Sequence, residues 1–146
     1  MLKKIAASAA VLTLASLMLT GCGAGKMSTE DTCTFINDQV AERGLQEKAE
    51  DSSAEVLAGD TSAYAEIMDE FDSILGEAAD NTKDNKLATS LNAASEQTKK
   101  MAGLMAEGNS SNLMEISQKI AELDTAEAAE ATEYLNTACP DMDSFS

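Results

Sequence analysis

The chain contains no histidine and no tryptophan. Without histidine, the commonest general base and metal ligand near neutral pH is missing. No glycine-rich phosphate loop, nucleophile elbow or metalloprotease motif takes its place. Aromatic residues are limited to two Tyr and three Phe. That leaves little material for a sugar-binding cleft, so glycoside hydrolysis by carboxylates alone has no evident platform. The parts argue for a non-enzymatic protein with no catalytic residues and no resident cofactor. Cations are scarce as well, with 10 Lys and Arg against 26 Asp and Glu and a net charge of −16. Such a surface repels phosphate backbones, which excludes nucleic acid as a partner. It also repels anionic lipid headgroups.

Proline is nearly absent too: Pro140 is the sole one, and β-branched runs are missing. What remains is rich in Ala, Glu, Leu, Met and Lys, all good helix formers. Four helical segments separate at their breakers. The first runs from about Glu30 to Leu57, with Ser28, Thr29 or Asp31 as caps, and carries a thin stripe of Cys33, Ile36, Val40, Ala49 and Val56 interrupted near Gly44. Gly59-Asp60-Thr61-Ser62 reads as a stop and a new start. The second, Ala63 to Ala79, repeats Tyr64, Ile67, Met68, Phe71, Ile74, Leu75 and Ala78 at helical spacing.

After a loop at residues 81–84, the third segment, about Asn85 to Glu107, aligns Leu87, Leu91, Ala94, Met101, Leu104 and Met105, with Thr98 filling a gap. Gly108-Asn109-Ser110 stops it. The fourth, Ser111 to Ala138, slips in phase between Leu123 and Ala128, where Asp124-Thr125-Ala126-Glu127 offers a capping box and hence a kink or a split.

The start of the chain has a different character. Lys3 and Lys4 precede an uncharged stretch, Ile5 to Leu19, which leads into Leu19-Thr20-Gly21-Cys22. The stretch is shorter than the roughly 20 apolar residues that a spanning helix needs. A conventional secretory leader would also be cleaved after such small residues. The joint pattern resembles the signal peptide and lipobox of a bacterial lipoprotein. The resemblance covers the first 22 residues and concerns processing and anchoring alone. It implies cleavage between Gly21 and Cys22, a diacylglycerol on the Cys22 thiol, and a membrane partnership made through that lipid. The protein is then expected on the extracytoplasmic face of the cell membrane, or on the outer membrane of a host that has one.

The division expected is a leader over 1–21, a tether over 22–29, an acidic helical domain over 30–140 and a tail over 141–146, which holds Phe145. Loss of Lys3 and Lys4 with the leader moves the net charge from −16 to −18.

In an exported setting, with Cys22 committed to lipid, the resemblance leaves Cys33 and Cys139 as a disulfide pair, against the alternative of two free thiols. Short loops make neighbouring helices antiparallel. An even number of helices returns the chain to its starting end, where the two cysteines can meet. An odd number would hold them about 30 Å apart. The expected fold is therefore all-α, a small antiparallel four-helix bundle with its first and last helices clasped.

Three patterns hint at ligands. Asp80, Thr82, Asp84 and Asn85 resemble the start of a calcium loop, but Asn85 stands where glycine is required and Leu91 where the closing Glu belongs. Met101 and Met105 share a face, with Met68 and Met114 elsewhere, and thioethers bind Cu(I). Methionine at helical spacing is otherwise core filler. Glu127, Glu130 and Glu133, with Asp69, Glu70 and Asp72, form acidic faces that are either solvated or docked to a basic envelope protein. Two functions stay open. An interaction module for an envelope protein needs a closed core and a functional exterior. A carrier of a small molecule or metal needs a cavity, with Tyr64, Phe71, Met101 and Leu104 as its expected lining.

Overall fold

The computed structural model describes residues 25–142. The leader, the Gly21–Cys22 cleavage site, the lipidation site Cys22 and residues 143–146 lie outside the described residues. Within them the chain forms six α-helices: α1 (Thr29–Glu42), α2 (Leu45–Ala58), α3 (Ser62–Asn81), α4 (Asn85–Ala106), α5 (Leu113–Ala121) and α6 (Ala126–Ala138). The first and fourth sequence segments are each two helices.

Local chemistry explains the breaks. Gly44 adopts φ +61°, a left-handed conformation that ends α1 and lets α2 start in a new direction. At residues 122–125 the chain turns, and the Thr125 hydroxyl accepts from the Ala128 amide at 3.2 Å to cap α6. The helix ends are fastened in similar ways. Ser28 and Asp31 form a capping box at α1. Gly59 closes α2 at φ +94°, and a Cβ there would lie 2.6 Å from the Ser110 backbone, so the close approach of these two turns requires glycine.

The spine of the molecule is the pair α3 and α4, which makes the most extensive helix contact. They run antiparallel: Asp72 accepts from the Ser95 hydroxyl in mid-helix, and Thr61 at the head of α3 bonds the Met105 carbonyl near the tail of α4. Their seam buries Ile74, Leu75, Ala78, Leu87 and Leu91 almost completely. α1 and α2 pack on α3 and add Ile36, Val40 and Leu45; α6 packs on α4 and adds Leu135. A smaller cluster of Ala65, Met105 and Ile116 anchors α5 at the other end.

One end is tied together by directional bonds. Cys33 of α1 and Cys139 at the end of α6 form a disulfide with Cα atoms 5.4 Å apart. Met27 exchanges backbone hydrogen bonds with the α3–α4 loop, donating to Asn81 at 2.6 Å and accepting from Lys83 at 2.8 Å. Asp84 caps α4 through the Lys86 and Leu87 amides, while its second oxygen accepts from Thr29 of α1 at 3.3 Å and Tyr134 of α6 at 3.2 Å. These bonds, led by the Leu87 amide, hold the Asp84 carboxyl below the usual range. Burial and Asp84 push the Tyr134 phenol up, and the Lys86 ammonium lies 4.2 Å from the centre of its ring.

Candidate binding groove

A groove of about 260 Å³ runs along α4 between α3 and α6. Helical spacing aims Tyr64, Met68, Phe71 and Leu75 of α3 into it, each three or four residues after the last. Its α4 side is Ala94, Gln97, Thr98 and Met101. Its third side is Thr132, Leu135 and Asn136 of α6, joined by Met142 beyond the disulfide.

Among the described residues no charged side chain lines this groove. The contrast is sharp for so acidic a protein. The depression between α2 and α3 is lined by Lys48, Asp51, Glu55, Glu66 and Glu70, and the one between α4 and the α5–α6 turn by Glu96, Lys100, Glu122 and Glu127. A desolvated charge without a partner is costly, so an uncharged lining is the one that releases free energy when an apolar group covers it. The few polar groups, Gln97, Thr98, Thr132 and Asn136, supply donors and acceptors for orientation.

Of the four residues expected to line a cavity, Tyr64, Phe71 and Met101 do so, while Leu104 packs in the smaller cluster beside α5. Thr98, the gap in the α4 stripe, is part of the lining rather than a packing defect. The methionines are regrouped. Met101 joins Met68 and Met142, whereas Met105 is buried with Ile116 and Met114 is 79 % exposed. Nothing in the sequence marked Met142, which follows Pro140 and belongs to no periodic stripe.

The remaining candidates are structural. Thr82 is buried beneath the Met27 bridge, and Asp84 spends its oxygens on the cap and on Thr29 and Tyr134, so these residues serve the α3–α4 loop. Among the described residues no group of three or more His, Cys, Asp or Glu is placed to hold a metal. Glu127, Glu130, Glu133 and Asp69 are exposed, Glu70 pairs with Lys48 at 2.8 Å, and Asp72 bonds Ser95. Glu96–Lys100 and Glu115–Lys119 pair across one helical turn at 2.8 Å. No helix among the described residues is long and apolar enough to cross a membrane. Neither a protein-family model, nor a curated protein, nor a solved structure matches the chain.

Proposed function

We propose that this protein is a bacterial envelope lipoprotein, cleaved after Gly21 and acylated on Cys22, that works without enzymatic activity as an interaction module. Its groove accepts one or two apolar side chains of an extracytoplasmic envelope protein. The observation that carries the reading is the uncharged lining of Tyr64, Met68, Phe71 and Met101 on an otherwise acidic exterior. The groove, about 260 Å³ and open to solvent rather than enclosed, suits one or two side chains presented by a larger surface.

The scaffold in this reading is an up-down-up-down four-helix bundle. α1 with α2 forms its first member and α5 with α6 its last, each broken once. Supporting this are the antiparallel α3–α4 pair and the disulfide that brings the first and last members together at one end. Met27 is bonded to that same end, so a lipid on Cys22 would hold the α3–α4 loop toward the membrane.

A second reading is a carrier, favoured by the three thioethers of Met68, Met101 and Met142 in one groove, which suit Cu(I) or a small apolar molecule. A photo-crosslinking residue at Asn136, on the groove rim, tests both in the native envelope. The interaction module predicts one protein captured from Asn136 and none from Glu66 in the charged depression. Equal capture from both positions removes the groove from the account. No capture, together with a small mass retained by the extracted protein in native mass spectra, establishes the carrier in its place.

A further inference from the structure

Away from the groove, the turn between α4 and α5 carries an acceptor sequence of its own. Asn109-Ser110-Ser111 is the sole Asn-x-Ser/Thr in the chain, and Glu107 precedes the asparagine by two residues. We propose that Asn109 is an N-glycosylation site, its side-chain nitrogen taking an oligosaccharide from a polyprenyl diphosphate on the extracytoplasmic face of the membrane.

An Asn-x-Ser/Thr without a central proline marks an acceptor only where it lies on a surface loop of an exported chain. Bacterial acceptor sequences add a carboxylate two residues ahead, which is where Glu107 stands. The structure supplies the exposure. Residues 107–112 join α4 to α5, and Asn109, Ser110 and Ser111 are all exposed. The turn meets the body of the molecule through the Ser110 backbone, which abuts Gly59, and not through the Asn109 side chain. Within the turn, the Asn109 Oδ1 accepts from the Ser111 amide at 3.0 Å and from the Ser111 hydroxyl. The third-position hydroxyl that the acceptor sequence requires is thus already bonded to the acceptor amide. The Asn109 Nδ2 donates only at 3.5 Å, to the Glu107 carbonyl, so little is lost when that nitrogen is substituted.

In the transfer, a bond forms between Nδ2 and C1 of the first sugar as the bond from C1 to the diphosphate oxygen breaks. One Nδ2 proton passes to a base of the transferase, and the polyprenyl diphosphate leaves with the bonding electrons. Nothing is oxidised or reduced. The modification also gives its surroundings a cover. Leu57 and Met114, the exposed large hydrophobics among the described residues, both border this turn: Leu57 lies two residues before Gly59, and Met114 is the second residue of α5. A bulky, well-solvated oligosaccharide rooted at Asn109 would shield them from neighbouring molecules. The inference rests on the proposed export of the chain and on nothing in the groove.

Trypsin cuts after Lys100 and Lys119 and releases residues 101–119, which hold the acceptor sequence entire. Tandem mass spectra of that peptide, from protein extracted from its own envelope, should show it displaced by a series of sugar masses attached at Asn109. Asn109→Gln and Ser111→Ala should each abolish the displacement and Ser110→Ala should keep it, all three with unchanged circular dichroism. A displacement that survives Asn109→Gln overturns the inference, since the sugar would then sit on a hydroxyl. An unmodified peptide from protein that has lost its leader and carries lipid on Cys22 also overturns it, and leaves the export reading standing. An unmodified peptide from protein that retains its leader sinks the export reading instead. The full chain is then incubated with bacterial membranes that contain an oligosaccharyltransferase and its polyprenyl-diphosphate donor. Transfer to Asn109 there upholds the acceptor site, and its absence overturns it.

Discussion

α3 has a groove on each flank, and the two differ in kind. Toward α4 and α6 it presents Tyr64, Met68, Phe71 and Leu75; toward α2 it presents Ala63, Glu66, Ile67 and Glu70. The charged flank is a place where water is retained. Its Lys48–Glu70 ion pair is 47 % exposed at the lysine and 38 % at the glutamate, which makes it weak as stabilisation and as recognition. The uncharged flank has no described charge to desolvate, so covering its apolar part gains free energy in proportion to area, provided that Gln97, Thr98, Thr132 and Asn136 find partners. A strongly acidic protein remains soluble through the first kind of surface and has specificity available in the second.

The comparison can be broken hardest at the disulfide. Cys139 adjoins Leu135 and Met142, so Cys33→Ser with Cys139→Ser frees one wall of the uncharged groove and leaves the α2–α3 depression intact. For a separation of 106 residues the chain-entropy model gives a loss of about 4–5 kcal/mol. Urea unfolding with and without reductant measures it. An unchanged midpoint would refute the clasp. Next in size, Leu135→Ala removes a side chain only 4 % exposed from the same wall and should cost about 2–4 kcal/mol, read from the same unfolding curves.

Acid should act more gently. Asp31, Asp60 and Asp84 have folded pKa values below their ordinary ones, held down by hydroxyl and amide donors. A depressed carboxyl stabilises the fold above its unfolded pKa of about 3.9 and loses that contribution as pH falls through the folded value. The caps should therefore hold from pH 7 down to about 4 and fail below it. Thermal melts across that range check this, and Asp84→Asn should flatten the acid limb in part. Smallest of all, Lys48→Ala in the charged depression should shift stability by no more than about 0.5 kcal/mol. A larger loss would mean that the two flanks of α3 are less different than their linings indicate.

Much of this was legible in the residues. The α3 stripe is strongly periodic, and Gly44 and the Asp124–Thr125 turn mark the places where two segments divide. What periodicity cannot show is how one stripe is shared. Ile67, Ile74 and Ala78 turn into the core while Tyr64 and Phe71, one helical face over, border the groove, because α6 packs on α4 and not broadly on α3. Thr98 reads as a flaw until a groove is seen beside it. Met142 was beyond reach, since its position follows from the disulfide and the Asn37–Asp141 bond rather than from any helix. The smaller cluster around Met105 was hidden for a related reason: its partner Ile116 lies in a separate helix whose placement the α4 stripe does not record.

The central claim, that the uncharged flank is where this protein binds, is tested most directly by the methyl resonances of its methionines. With 13C-methyl labels, Met68, Met101 and Met142 report on the groove, Met105 on the α5 cluster and Met114 on open surface. Titration with benzyl alcohol, an uncharged aromatic probe, should move the three groove methyls together and leave Met105 and Met114 in place. Shifts led by Met114, or equal shifts at all of them, would contradict the account.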